Sequence, residues 1–406
     1  MQDIVGRIKF WIRYKYNRIV NSIAFYPAFI SLIFLISSFL LISFDFSDYG
    51  KQLKSQLPWL SLRDASTARN IIGVVAAGIL SLTVFSFSMV MIVLNQAASQ
   101  MSNRVLNKLI GNRFQQMVLG IYIGTIVFAL FLLTTIRDID EGIYIPAIST
   151  YLLIVVAIFD IFVFIYFLHY ITQSVKYEVI IHRIYTETYN SLMHHCKLEQ
   201  EPEKISDDGF DFNIEAPRGG VYEGFDRKAL LKICKEEDIK IYIPNISGTY
   251  LLKGIPLIKV NKSIDSKETI EDLQSALFLN QDETISNNFF YGFRQLTEVA
   301  VKALSPGIND PGTASIALRS LFRLFTHRYC FHPENMVTDE KNTARIYITE
   351  PEFNDIFETT VLPIWDYGKN DRIIQNEMSL LLKQFLQLYR NERIENFLKQ
   401  VNEKTE

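Results

Sequence analysis

The sequence predicts a membrane α-helical protein: four transmembrane helices, then a C-terminal cytoplasmic α+β domain that is mostly helical in its second half. Three observations lead there. The first 170 residues hold four long stretches almost free of charge. Lysine and arginine gather on alternate connections between those stretches. Beyond residue 199 the composition turns to acids, Pro and Gly, and the apolar periodicity becomes mixed.

A bilayer core about 30 Å thick needs about 20 apolar residues in a helix. The first span, 24–44, lies in the charge-free run Asn21 to Phe44, where Phe29 to Ile42 is nearly all Phe, Ile, Leu and Ser. It is too long for a removed signal peptide and lacks the small-residue cleavage pattern. The second, 71–95, sits in an uncharged stretch running from Asn70 to Asn103. As one helix that stretch would reach about 50 Å, so its polar tail is read as leaving the bilayer. Spans 114–136 and 146–170 follow, with Asp160 the only formal charge in the fourth. No Gly or Pro occurs between Pro146 and Pro202, which predicts a helical extension of span 4 with Ile171, Val175, Val179 and Ile184 as its apolar face.

The predicted organisation is a basic interfacial arm over 1–20, a four-helix domain with its extension over 21–198, a small α+β module over 199–265 and a helical module over 266–406. Within the α+β module, Val221 to Glu223 reads as a strand, Asp226 as a helix cap, and 239–243 as a half-buried strand. Residues 248–252 and 255–260 read as a strand pair around Lys253-Gly254. Helical periodicity covers 268–280, 287–304, 312–329, 352–364 and 373–400.

Composition agrees. Hydrophobic residues make up 49%, Phe numbers 30, and mean hydropathy is +0.12. The net charge of −3 argues against a nucleic-acid partner. Cys196, Cys234 and Cys330 are scattered, without a C-x-x-C pair. The clusters His194-His195-Cys196 and His327…Cys330…His332 lack the acidic partners and helix-face spacing of a metal site, so no metal or cofactor is expected. No hydrolase elbow, phosphate loop, dinucleotide fingerprint or kinase set is present, and no enzyme activity is expected.

The lysine and arginine bias sets orientation. Ten basic residues flank one side, among them Arg7, Lys9, Arg13, Arg104, Lys108 and Lys176; five flank the other, diluted by Asp45, Asp48, Asp138 and Glu141. Both termini are therefore expected in the cytoplasm.

Several residues carry candidate roles. Ser81, Ser88, Asn95 and Ser102 recur every seven residues on span 2 and with Ser99 form a polar stripe. The stripe reads as an ion path in an oligomer or as helix-packing polarity. Phe85 and Ile92 beside it are candidates for a hydrophobic constriction. Asp160 is read either as a protonated structural carboxyl or as a proton or cation site. Gly120 and Gly124 predict close helix contact. Ser305, Asn309, Asp310 and Thr313 lie in a loop that reads as a ligand or subunit contact, or as a corner built of capping residues.

Three stretches resemble a family of bacterial membrane proteins of uncharacterised function, DUF2254. They are Phe85-Ser-Phe-Ser88 with Asn95-Gln-Ala-Ala-Ser-Gln100, then Gly292-Phe-Arg-Gln-Leu296, then Ala303-Leu-Ser-Pro-Gly-Ile-Asn-Asp-Pro311 with Thr313-Ala314. The resemblance implies a multi-pass protein of the bacterial inner membrane, and no activity. The reading that follows is an oligomeric ion channel or permeation protein with a cytoplasmic regulatory domain, whose partners are the lipid bilayer, further copies of itself and an inorganic ion. The alternative is a non-conducting scaffold or sensor whose cytoplasmic domain binds a partner or small ligand.

Overall fold

The computed structural model describes residues 24–56, 62, 64–100, 113–139, 142–174, 176–203, 205–280 and 283–405, with side chains left out at 96–100, 137–144 and 405. The predicted arm over 1–20 lies outside them. The chain divides into two compact units, Met1–Lys176 and Tyr177–Glu406.

The first unit is built on four helices long and apolar enough to cross a membrane: α1 (Phe25–Phe46), α3 (Ala65–Gln100), α4 (Arg113–Thr135) and α5 (Ala147–Ser174). Their outer faces are greasy, with Phe39 62% and Phe162 66% exposed, as helices solvated by lipid tails require. The short α2 (Asp48–Gln56) follows α1. α3 starts six residues before the predicted span because Asp64 accepts hydrogen bonds from the Thr67 (2.8 Å) and Ser66 (3.2 Å) amides, a local N-cap that hydropathy does not register. Strands β1 (Arg137–Ile139) and β2 (Gly142–Tyr144) form a hairpin between α4 and α5.

The two glycines of α4 explain how it meets α1. A Cβ on Gly120 would lie 2.8 Å from Ile30 Cδ1, and one on Gly124 would lie 2.7 Å from the Phe34 ring. Only hydrogen fits there, as predicted for this small-xxx-small pair. Asp45, at the end of α1, is fully buried and supplies a cap from far along the chain. Its carboxylate accepts the Ser149 amide (2.8 Å) and hydroxyl (2.9 Å) at the start of α5, and Lys54 Nζ at 2.9 Å.

The second unit opens with α6 (Tyr177–His195). Span 4 extends as a helix to Ser174, and α6, a separate helix, packs on the helices of its own unit. Its buried face is Ile180, Ile184, Thr188 and Leu192, an i, i+4 row, while Val179 is 46% exposed. Val175 lies outside the described residues.

Next come β3 (Cys196–Leu198), β4 (Phe212–Glu215), β5 (Gly220–Phe225), α7 (Arg227–Glu236), β6 (Ile241–Ile243), β7 (Tyr250–Leu251), β8 (Pro256–Val260), α8 (Lys267–Ser275) and β9 (Leu277–Asn280). Then follow α9 (Phe289–Ala303), α10 (Pro311–Cys330), β10 (His332–Pro333), β11 (Met336–Thr338), β12 (Ala344–Ile348), α11 (Phe353–Gly368), α12 (Arg372–Leu388) and α13 (Glu392–Thr405). The main sheet has the order β11-β12-β6-β8-β4, with β12 and β6 parallel and the other pairs antiparallel. A second sheet has the order β7-β5-β9.

Three expectations change. Strands β7 and β8 do not pair with each other; they belong to different sheets, and Gly254 at φ +90° turns the chain between them. The periodic run 268–280 is a helix and then a strand, because Leu277 and Leu279 are buried while Phe278 and Asn280 face outward, a period of two. Residues 336–348, in the region read as helical, return to the main sheet beside β6. Asp226 does cap α7, accepting the Lys228 (3.0 Å) and Ala229 (3.1 Å) amides.

Candidate functional site

The second unit holds a cavity of about 520 Å³ between its sheets and helices, within the range of small-molecule sites. Sequence neighbours do not make it: its walls come from 194–197, 222–227, 247, 278, 287–289, 333–337 and 348–351. Pairing of β3 with β10 sets Cys196 opposite Pro333 and Leu198 opposite His332, so the two His/Cys clusters of the sequence meet at one place. They meet without metal-site geometry: among the described residues no group of three His, Cys, Asp or Glu could hold an ion.

On one wall, Asn288 caps α9, its Oδ1 accepting the Phe290 amide at 3.0 Å. Its Nδ2, although the residue is only 4% exposed, finds no acceptor among the described residues. The Ser247 hydroxyl is likewise buried without a partner. Buried polar groups are normally satisfied, so two orphans facing one cavity mark it as more than a packing gap. Glu223 beside them is satisfied, taking the Asn280 amide group and the Thr284 N–H, both at 2.6 Å.

His195 also lines the cavity, and its Nδ1 lies 2.8 Å from the Ser191 carbonyl. A carbonyl only accepts, so the proton sits on Nδ1 and Nε2 carries the lone pair. Burial lowers the imidazole pKa and keeps it neutral. Glu350, just past β12, faces both this cavity and a smaller one of about 200 Å³ lined by Arg328, His332 and Tyr242. Burial pushes the Glu350 carboxyl up to about 7, against the pull of the Arg328 guanidinium. Arg328, 3% exposed, is held by the Pro351 carbonyl at 2.8 Å. Cys196, between them and also buried, has its thiol raised to about 12 and is therefore inert at neutral pH.

In the first unit, Asp160 is fully buried and neither of its oxygens accepts a hydrogen bond among the described residues. Its polar neighbours are Tyr122 and Thr125 of α4, with Ser86 of α3 next to Tyr122. Most of this company comes from the third span, with Ser86 from the second.

Comparison with known proteins adds the following. Residues 20–384 match the family described as "Predicted membrane protein (DUF2254)". The chain belongs to this family. Curated relatives include an uncharacterized protein of Mycobacterium bovis and another of Mycobacterium tuberculosis, each 22% identical over 332 residues, covering 78% of this chain. The match spans 63% of the length of those relatives. No solved structure shows a significant match.

The stretches that carry the DUF2254 resemblance have physical reasons. Gly292 lies where α9 crosses α6: a Cβ there would come within 2.7 Å of Thr188 Cβ. In the loop after α9, Asp310 accepts the Thr313 amide (3.1 Å) and hydroxyl (2.6 Å), with Pro311 opening α10. Asn309 holds φ +49° and its amide reaches the Ser305 carbonyl at 2.9 Å. That is the corner of capping residues, and Asp310 fills the amides an anion would need. Ser81, Ser88 and Asn95 are exposed on the single chain, as are Phe85 (52%) and Ile92 (62%). The two hydroxyls bond back to Ala77 and Val84 carbonyls at 2.9 and 2.8 Å. Ser102 and the side chain of Ser99 lie outside the described residues. Reading span 2 by its seven-residue repeat selected this outer face and passed over Ser86, the buried hydroxyl.

Proposed function

We propose that this DUF2254 chain is a membrane-embedded sensor of the bacterial inner membrane, with both termini cytoplasmic, whose second unit binds a small amine-bearing molecule in the 520 Å³ cavity. The observation that carries it is the pair of groups without a partner among the described residues, Asn288 Nδ2 and Ser247 Oγ, lining the same cavity as Glu350, which has no ion pair among the described residues. Glu334 and Arg227 on the rim neutralise each other at 3.0 Å. The other lining charges are Glu223 and Glu350 against Lys197, an acidic balance that favours a cationic ligand, while the Asn288 amide supplies a donor for an acceptor on the same molecule.

Thermal unfolding of the full chain in detergent, with spermidine or L-arginine as probe, tests this. A ligand that binds only the folded state raises the transition temperature. Glu350→Gln should abolish the rise, and Asn288→Ser, which keeps a capping oxygen for α9 but removes the amide donor without adding charge, should weaken it. No rise with either probe overturns the amine reading.

A second reading is ion permeation by an oligomer, favoured by the row of Ser81, Ser88 and Asn95 on the exposed face of α3. Conductance in planar bilayers altered by Asn95→Leu supports it, and a monomer in detergent removes it, because four helices alone do not enclose a wide pore.

A further inference from the structure

A carboxylate in the middle of a helix bundle needs a reason, because an ionised side chain at the bilayer centre costs at least about 2.5–3.5 kcal/mol. Asp160 sits near the midpoint of α5, about 20 Å along it at 1.5 Å per residue. No Lys or Arg occurs in any of the four spans to pair with it. Four side chains from three helices converge there: Ser86 (4% exposed), Tyr122, Thr125 and Asp160 (each 0%). Neither Asp160 oxygen accepts a hydrogen bond among the described residues, and the Ser86 and Tyr122 hydroxyls have no partner there either.

Thr125 sharpens the problem. Its one hydroxyl proton has to serve both the Ile121 carbonyl, at 3.1 Å, and the adjacent Asp160 carboxyl, so the buried carboxyl is left short of donors.

We propose that Ser86, Tyr122, Thr125 and Asp160 form a binding site for a monovalent, oxygen-seeking cation of the size of Na⁺. One carboxylate neutralises a single positive charge, so the occupied site is neutral and suits the membrane interior; a divalent ion would leave it charged. Asp160 offers two oxygens, and the phenol and two hydroxyls offer three more, a hard-oxygen set. A cavity of about 190 Å³, lined by Ser86 and Tyr122 among Phe87, Val90, Met91 and Phe167, lies against the cluster and provides room for approach. The site is independent of the soluble cavity and of any ligand bound there.

The test uses the full chain in detergent, with NaCl replacing choline chloride or KCl at constant ionic strength. The expected results are a saturable rise in transition temperature specific to Na⁺, and binding of radiolabelled Na⁺ that falls to background in Asp160→Asn. Tyr122→Phe and Thr125→Val, which keep the carboxylate and remove neutral ligands, should weaken binding several-fold without abolishing it. Three results overturn the proposal: no Na⁺-specific binding by the wild type, retention of binding in Asp160→Asn, or an infrared carboxylic-acid band assigned to Asp160 that persists in saturating Na⁺. The last would show a proton in place of the metal ion.

Discussion

Replacing Glu350 by Gln should flatten the pH dependence of the second unit's stability in a defined window. An unfolded glutamate loses its proton near 4.5, whereas the folded carboxyl holds it up to about 7 because burial disfavours the charge. Between those values the native state binds more protons than the unfolded state, so stability falls as pH rises through the window. The gap of about 2.5 units corresponds to at most about 3.4 kcal/mol at about 1.36 kcal/mol per pH unit. Relaxation around the half-buried residue makes that a ceiling. For a unit of this size the ceiling translates into roughly 5–10 °C of transition temperature. The assay is circular dichroism melting of wild type and Glu350→Gln, in the same detergent, at steps from pH 4.5 to 8. The histidines titrate in the same range, so the difference between the two curves is the quantity to read. It should be near zero at pH 4.5 and grow in favour of Gln toward pH 7.5. Arg328→Met removes the cation that opposes the shift, which should move the falling limb to higher pH. Parallel wild-type and Glu350→Gln curves would refute the reasoning.

Three other perturbations separate large effects from small ones. Asp45→Ala removes a buried cap and leaves Lys54, whose side chain is 19% exposed, without its counter-charge, and should cost about 3–5 kcal/mol in thermal or denaturant unfolding of the first unit. Asp45→Asn, which keeps an acceptor, should cost less. Gly292→Ala must push α6 and α9 apart at Thr188, and should cost about 1–3 kcal/mol by chemical denaturation; adding Thr188→Ala should recover part of the loss, a coupling that a double-mutant cycle measures. Asp310→Ala should cost only about 0.5–2 kcal/mol, the worth of an N-cap, and Asp310→Ser should largely restore it in the same assay.

The four spans were legible because lipid imposes a continuous requirement: every residue of 24–44 or 146–170 must be tolerable in hydrocarbon, and α1 and α5 match those runs within a few residues at each end. Caps were legible for a similar reason, since Asp226 and Asp310 act on amides two or three positions away. The α4 glycines could be read because only one local pattern allows that approach. The return of β11 and β12 to the sheet was not, because β6 precedes β12 by about a hundred residues and nothing local in Ala344–Ile348 names its partner.

The candidate sites were half legible, and the half that failed shares one cause. Asp160 stands out in any reading because a charge in an apolar run is anomalous by itself. Asn288, Ser247 and Glu350 are ordinary residues in ordinary polar stretches, and become unusual only when folding gathers them around one cavity, with Asn288 Nδ2 and Ser247 Oγ unpartnered among the described residues. Asp45 illustrates the same point in the membrane unit: as sequence it dilutes a positive flank, yet in the fold it holds the start of α5 by bonds that cross about a hundred residues. A residue whose role is set by local chemistry can be found from its neighbours in the chain. One whose role is set by desolvation can be found only from its neighbours in space, and such residues line both the proposed amine cavity and the proposed cation site beside Asp160.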